Sequence, residues 1–156
     1  MILSLDTSAA VDILRGRDPG VRDHFLAAQA SGAQLRLSTV ALYELAAGAK
    51  ASSDPGRKLE ELARFAEALE LAAFDSDDAI VAGCLRADLE APGRQIDHPD
   101  LMIGAQALHR GWAVVTSNLR HFVRLQGLEL YDWRISDRPL DRADAIAGLF
   151  TRTKDK

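Results

Sequence analysis

Short apolar runs alternate with helix-periodic segments along nearly the whole chain, and no other feature limits its possible folds as strongly. "ILSL" reads as a strand that ends at Asp6. "TSAAVDILRG" follows as a helix, with Thr7 or Ser8 as N-cap and Gly16 as stop. "DPG" starts a second helix over "VRDHFLAAQA", and "LRLS" is the next strand. "TVALYELAAGAKA" is a helix capped by Ser38 or Thr39, "RKLEELARFAEAL" is another, and "ELAAF" is a weak strand. "DSDDAIVAGCLRADLEA" is a helix with an acidic first turn, closed by "PG". After the helix that begins in "DHPDLMIGAQAL" come the strand "WAVVTS", the short helix "NLRHFVRL" and the strand "LELYDW". "ISDRPLDRADAIAGLF" forms a terminal helix, and "TRTKDK" is expected to fray. Strands separated by helices need crossover connections, so the pattern predicts an α/β fold with a mainly parallel sheet.

The totals narrow the function. A chain of 156 residues fits one domain with a full core. With 47% hydrophobic and 27% charged residues it is expected to be globular rather than disordered. The lone Cys84 cannot form an internal disulfide, which fits a reducing cytosol, and its helical setting suggests a small core residue. The N-terminal apolar run breaks at Asp6 without a basic leader, so no secretory signal is expected. No stretch is long enough to cross a bilayer. A net charge of −4 is not that of an obvious nucleic-acid binder, although arginine-rich clusters still suit phosphate.

Ligands of open parallel sheets bind beyond the carboxyl ends of the strands, and here those ends carry polar side chains. Asp6 closes the first strand, and its ordinary use is to cap or charge a helix start. Ser38 and Thr39 close the second strand and lead to Glu44. No capping box accounts for Glu44, which either borders a solvated face or points into a cleft. Thr116, Ser117 and Asn118 close the "WAVV" strand. Asp97 and Asp100 flank Pro99 at a helix mouth, an arrangement like a capping box with aspartate in place of glutamate. Asp75, Asp77 and Asp78 read as helix-start charges. His24, His98, His109 and His121 show no metal-ligand spacing. Neither a nucleophile elbow nor a glycine-rich phosphate loop is present.

In order, "LDTSAAVDILRG", "LSTVALYELAAGA" and "DHPDLMIGAQALHRGWAVVTSNLRHFVRLQGLELYDW" resemble the PIN-domain family, and more closely its VapC-type toxin branch. The likeness runs from Ile2 to Trp133. It implies a three-layer α/β/α sandwich over 1–133 and leaves 134–156 as a C-terminal extension. It also implies an endoribonuclease dependent on Mg2+ or Mn2+, a homodimer, and neutralisation by a small VapB-like antitoxin. By motif position the acids are Asp6, Glu44 and Asp100. The usual fourth acid position is Asn118, an amide without charge, and His121 stands where some relatives carry an acid. Asp97 occupies a place where glycine is frequent.

On this resemblance Asp6, Glu44 and Asp100 are metal ligands and Asn118 positions water or metal. Thr7, Ser8, Asp97 and Thr116 support the ligands, while Arg15, Arg94, Arg120 and Arg124 are candidates to hold RNA backbone. Crowded carboxylates resist ionising together, and a divalent cation removes that cost and activates water against a phosphodiester. An antitoxin would lay an amphipathic segment into an apolar groove between the early helices. Two rival readings stand beside this one. "LDTS" after a strand also suits an aspartyl nucleophile of a phosphate-ester hydrolase, although Ser8 stands where the second aspartate of that motif belongs. A PIN-like module that binds RNA without cutting it is the other, and Asn118 favours it.

Overall fold

The computed structural model describes residues 1–89 and 96–151. The chain order is β1 (Ile2–Leu5), α1 (Thr7–Arg15), α2 (Pro19–Ala30), β2 (Gln34–Ser38), α3 (Thr39–Lys50), α4 (Pro55–Glu67) and β3 (Glu70–Ala72). It continues with α5 (Ser76–Leu89), α6 (His98–Arg110), β4 (Ala113–Val115), α7 (Leu119–Phe122), β5 (Leu130–Tyr131) and α8 (Arg142–Thr151). The "PG" expected to close α5 and the last residues of "TRTKDK" lie outside the described residues.

All strand pairings are parallel, in the order β3-β2-β1-β4-β5. From β1 the chain steps outward to β2 and β3, then returns past β1 to add β4 and β5 on the other side. This reversal puts crossover helices on both faces, giving the expected three-layer α/β/α sandwich, and it opens a crevice between the ends of β1 and β4. Register is held at that crevice by the Asp6 amide, which donates to the Val115 carbonyl at 3.1 Å. Leu3, Leu5, Leu37, Val114 and Val115 fill the middle of the sheet and are buried. Such near-continuous apolar strands are what a sheet covered on both faces requires.

Local chemistry sets the helix ends. Asp6 caps α1, rather than Thr7 or Ser8, because its carboxylate accepts the Ala9 amide at 2.7 Å. Gly16 ends α1 at φ 60°, a conformation that a side chain disfavours. Ser38 caps α3 through the Val40 amide. Gly104 of α6 faces α7: a Cβ there would stand 2.1 Å from Leu125 Cδ1. Glycine therefore lets α6 press against the α7 region.

Two readings of single residues need correction. Cys84 is exposed, since it lies on the outward face of α5 rather than in the core. Asp78 is not merely a helix-start charge: it is 0% exposed and clamps α5 to α6. Its carboxylate accepts Arg110 Nε at 3.0 Å, Arg110 Nη2 at 2.6 Å and Gln106 Nε2 at 2.8 Å, with His109 Nδ1 at 3.1 Å. Burial alone would raise this carboxyl, but bonds from Arg110, Gln106 and His109 outweigh it and hold Asp78 well below the usual range. Asp75 does serve the helix start, accepting the amides of Asp77 and Asp78.

The described residues from Arg134 to Ala145 fold back on the domain. The Leu140 amide donates to the Leu130 carbonyl at 2.8 Å beside the β5 edge. Arg142 donates to the carbonyls of Val123 and Leu125, and Ala145 joins the core. Among the described residues no helix is long and apolar enough to cross a membrane.

Candidate active site at the end of the central strands

The end of β1 delivers Asp6 into the crevice, 0% exposed. Every donor around it comes from a neighbouring element. Ser8 Oγ donates to the carboxylate at 2.9 Å from the first turn of α1. Thr116 Oγ1 donates to Asp6 Oδ2 at 2.7 Å from the end of β4. The same Thr116 oxygen accepts the Asn118 amide at 2.8 Å, which fixes the turn into α7. Asn118 Nδ2 then donates to Asp100 Oδ2 at 2.7 Å. A polar chain thus runs from Asp6 through Thr116 and Asn118 to Asp100, joining residues 94 positions apart in sequence. Asp100 is 9% exposed at the mouth of α6.

His121 completes this end of the site. Its Nδ1 lies 2.5 Å from Asp100 Oδ2 and 3.1 Å from Asn118 Nδ2. The two nitrogens approach because both donate to one carboxylate oxygen. Asn118 and His121 stand three residues apart across one turn, so they present side by side. The spacing of Asn118 and His121 carries this pairing, but nothing local marks His121 as a partner of Asp100 rather than a substitute for an acid. Opposite, Thr7 Oγ1 donates to Glu44 Oε2, tying α1 to α3. Ser117 Oγ donates to Asp12 at 2.7 Å and lies 3.0 Å from Ser8 Oγ, which accepts the Ser117 amide, so α1 is braced against the β4 end.

Asp97 departs from expectation. It holds the N-cap backbone position of α6, yet its side chain makes no capping bond. The capping-box reading of Asp97 and Asp100 therefore does not describe this helix: the Asp100 carboxylate is turned toward Asn118 and His121 instead. Exposed Arg15 lines a groove with Glu44, and Arg120 lines a cavity with Asp97 and His121. Arg124 follows α7, half-buried. Arg94 lies outside the described residues.

The charge of Asp100 acts on the other two acids. Burial pushes the Asp6 carboxyl up to about 7 against the bonds from Ala9, Thr116 and Ser8, and the charge of Asp100 adds to the rise. Glu44 is also raised, first by burial and then by the charges of Asp100 and Asp97, against the bond from Thr7. Among the described ion pairs the one basic partner of these three acids is His121. Among the described ion pairs no lysine or arginine is set against these three carboxylates.

That excess suits a hard divalent cation, which takes oxygen ligands. Among the described residues no three carboxylate, thiolate or imidazole groups converge tightly enough to enclose one. Each carboxylate is instead turned onto hydroxyl or amide donors. The fit is therefore one of charge and donor type: oxygen ligands from β1, α3 and α6, with the carboxyls of Asp6 and Glu44 raised.

The PIN domain family model matches residues 3–128, which includes every acid described above. The chain belongs to the PIN-domain family. Within it the VapC branch is its place. The tRNA(fMet)-specific endonuclease VapC of Salmonella typhimurium is 33% identical over 129 residues, 83% of this chain and 96% of that protein. Ribonuclease VapC2 of Rickettsia felis is 29% identical over 85% of this chain and 98% of its own length. Among solved structures, DNA-bound VapBC from Salmonella typhimurium superposes with a TM-score of 0.77 at 32% identity, covering 85% of this chain and 98% of that one. VapBC2 from Rickettsia felis, bound to a promoter DNA fragment, gives 0.77 at 27% identity, covering 84% and 98%.

Proposed function

We propose that this chain is the toxin ribonuclease of a toxin–antitoxin pair and cuts RNA phosphodiesters at the Asp6–Glu44–Asp100 cluster with a bound Mg2+ or Mn2+. The observation that carries this reading is that carboxylates from β1, α3 and α6 lie close enough for Asp100 to raise both Asp6 and Glu44, while no described ion pair sets a lysine or arginine against them. Asp6, Glu44 and Asp100 are the residues that would hold the cation, with Asn118 beside them. When bound, the cation supplies Lewis-acid polarisation of a phosphoryl oxygen and removes the mutual repulsion of the acids.

The remaining residues orient. Ser8 and Thr116 fix Asp6, Thr7 fixes Glu44, and Asn118 with His121 fixes Asp100. Arg15 lines the groove with Glu44 and Arg120 the cavity with Asp97 and His121, and on this reading both hold RNA backbone. An aspartyl nucleophile is disfavoured, because both oxygens of the fully buried Asp6 accept hydrogen bonds. The relatives' names point to RNA, and to tRNA in one of them, as the substrate class.

A VapB-like antitoxin fits this reading, since the matched structures are VapBC complexes. A groove of about 270 Å³ between α1, α3 and α4 suits its segment: Val11, Leu14, Leu45 and Leu62 are its apolar lining, and Glu44 lines it too. A basic side chain of that segment reaches the acid cluster from there. The free, exposed Cys84 fits action in the reducing cytoplasm. The nuclease unit takes in residues 1–133, with 134–156 as a C-terminal extension. A homodimer belongs to the same reading, and sedimentation of the purified chain tests it.

RNA cleavage with Mg2+ or Mn2+, with and without EDTA, tests the proposal directly. Asp6→Asn and Asp100→Asn should each reduce the rate by about a hundredfold or more while a cooperative melt persists. Full activity in both variants would reject the site.

A further inference from the structure

Beyond residue 133 the chain adds material that the relatives largely lack: 129 residues here already match 96% of the Salmonella typhimurium protein. This added segment encloses, with the β4 end and α7, a cavity of about 630 Å³. Asn118, Arg120, Arg134, Ile135, Arg138 and Pro139 are among its lining. Asn118 belongs to both places, since its side-chain amide also holds Asp100. Arg120 lies at a second junction, lining this cavity and the one beside Asp97 and His121.

The arginines differ in availability. Arg134 is committed: its Nε and Nη2 donate to Asp132 at 2.8 and 2.6 Å, and Nη2 also donates to the Ser117 carbonyl at 2.9 Å. That bond ties the added segment to the turn between β4 and α7. Arg120 and Arg138 are exposed, and no described ion pair engages either. Two acids also line the groove near the start of α8. Asp141 is spent on the amides of Ala143 and Asp144, at 2.8 and 3.2 Å, while Asp144 is exposed. Exposed Ile135 and Pro139 add an apolar wall. Guanidinium forks beside an apolar surface match the two halves of an unpaired nucleotide, its phosphate and its base.

We propose that the added segment makes a second RNA subsite, in which Arg120 and Arg138 grip phosphates of the single strand flanking the bond presented to Asp6 and Asp100. The proposal rests on the ribonuclease reading above. It assigns the extension a role in substrate length and affinity that the acid cluster does not have.

Binding is measured by fluorescence anisotropy of a labelled single-stranded RNA across a salt series, with full-length Asp100→Asn protein as background to prevent cutting. Arg138→Ala should weaken binding about three- to tenfold and reduce the slope of log affinity against log salt by about 0.7, the loss of one single-strand phosphate contact. Arg138→Lys should restore the slope but only part of the affinity, because the fork is gone. Arg57→Ala on α4, away from this groove, should alter neither. The subsite assignment alone is overturned if unsubstituted protein cuts RNA while Arg138→Ala binds RNA with unchanged affinity and slope. It is equally overturned if Arg138→Ala weakens only an antitoxin peptide. If unsubstituted protein neither cuts nor binds RNA, the ribonuclease reading falls and takes this one with it.

Discussion

Replacing Asp6 by asparagine should destroy activity and at the same time stabilise the fold. In the folded chain burial moves this carboxyl from its ordinary 3.8 to about 7. At 1.36 kcal/mol for each tenfold change in acidity, keeping Asp6 ionised above that value costs about 4 kcal/mol. The direction follows from the linkage. A raised carboxyl favours the folded state while protonated; that contribution is complete below 3.8 and is lost as pH rises to about 7. Asparagine keeps the acceptor for the Ala9 amide, and the hydroxyls of Ser8 and Thr116 can rotate to meet its amide hydrogens. Imperfect bonding should return about 1–2 kcal/mol of the gain, leaving about 2 kcal/mol near pH 8. For a domain of this size that is about 4–8 °C in melting temperature. The assay is thermal melting of both proteins in EDTA from about pH 4.5 to pH 8, where the gain should grow with pH and vanish at the acid end. A variant that melts at or below the unsubstituted protein throughout, or one stabilised equally at both ends, would refute the reasoning. Adding Mg2+ or Mn2+ should then raise the melting temperature of the unsubstituted protein more than that of Asp6→Asn.

Asp78→Ala should cost about 2–4 kcal/mol in urea unfolding, since it strands Arg110 and Gln106 between α5 and α6. Because Asp78 is held low, its contribution persists above the ordinary carboxyl range and fades only as pH falls well below it, so this variant should differ least from the parent in strong acid. Gly104→Ala forces a methyl into fully buried Leu125 and should cost about 1–3 kcal/mol while reducing cleavage, as α7 carries His121 away from Asp100. Asn118→Asp sets a second carboxylate against Asp100 where an amide now donates at 2.7 Å. It should lower the melting temperature in EDTA and tighten Mg2+ or Mn2+ in a calorimetric titration; no change in either would place residue 118 outside the metal's reach.

The sheet and its crevice were legible because their signals are local. Apolar runs ending in Asp6, Ser38 and Thr116 announce parallel strands and the edge where ligands lie, and the family likeness orders the acids there. What the sequence withheld depends on distant partners. Asp78 looks like one more acid at a helix start until Arg110, 32 positions on, closes over it. Cys84 shares a helix with buried Ala82, but its position on α5 turns it to solvent. Asp97 has the sequence of a cap, yet its side chain makes no capping bond, and nothing in the local pattern distinguishes the two outcomes. The contact of His121 with Asp100 depends on how closely α6 meets α7, which Gly104 permits but does not announce.

The Leu140 amide on the Leu130 carbonyl has a practical consequence. A protein trimmed to the boundary suggested by its relatives would lose this bond together with the Arg142 anchors, and its outermost strand would present bare backbone to other molecules. Such an edge recruits strands from neighbouring chains. Shortened versions should therefore precipitate during purification, a failure easily mistaken for toxicity to the host.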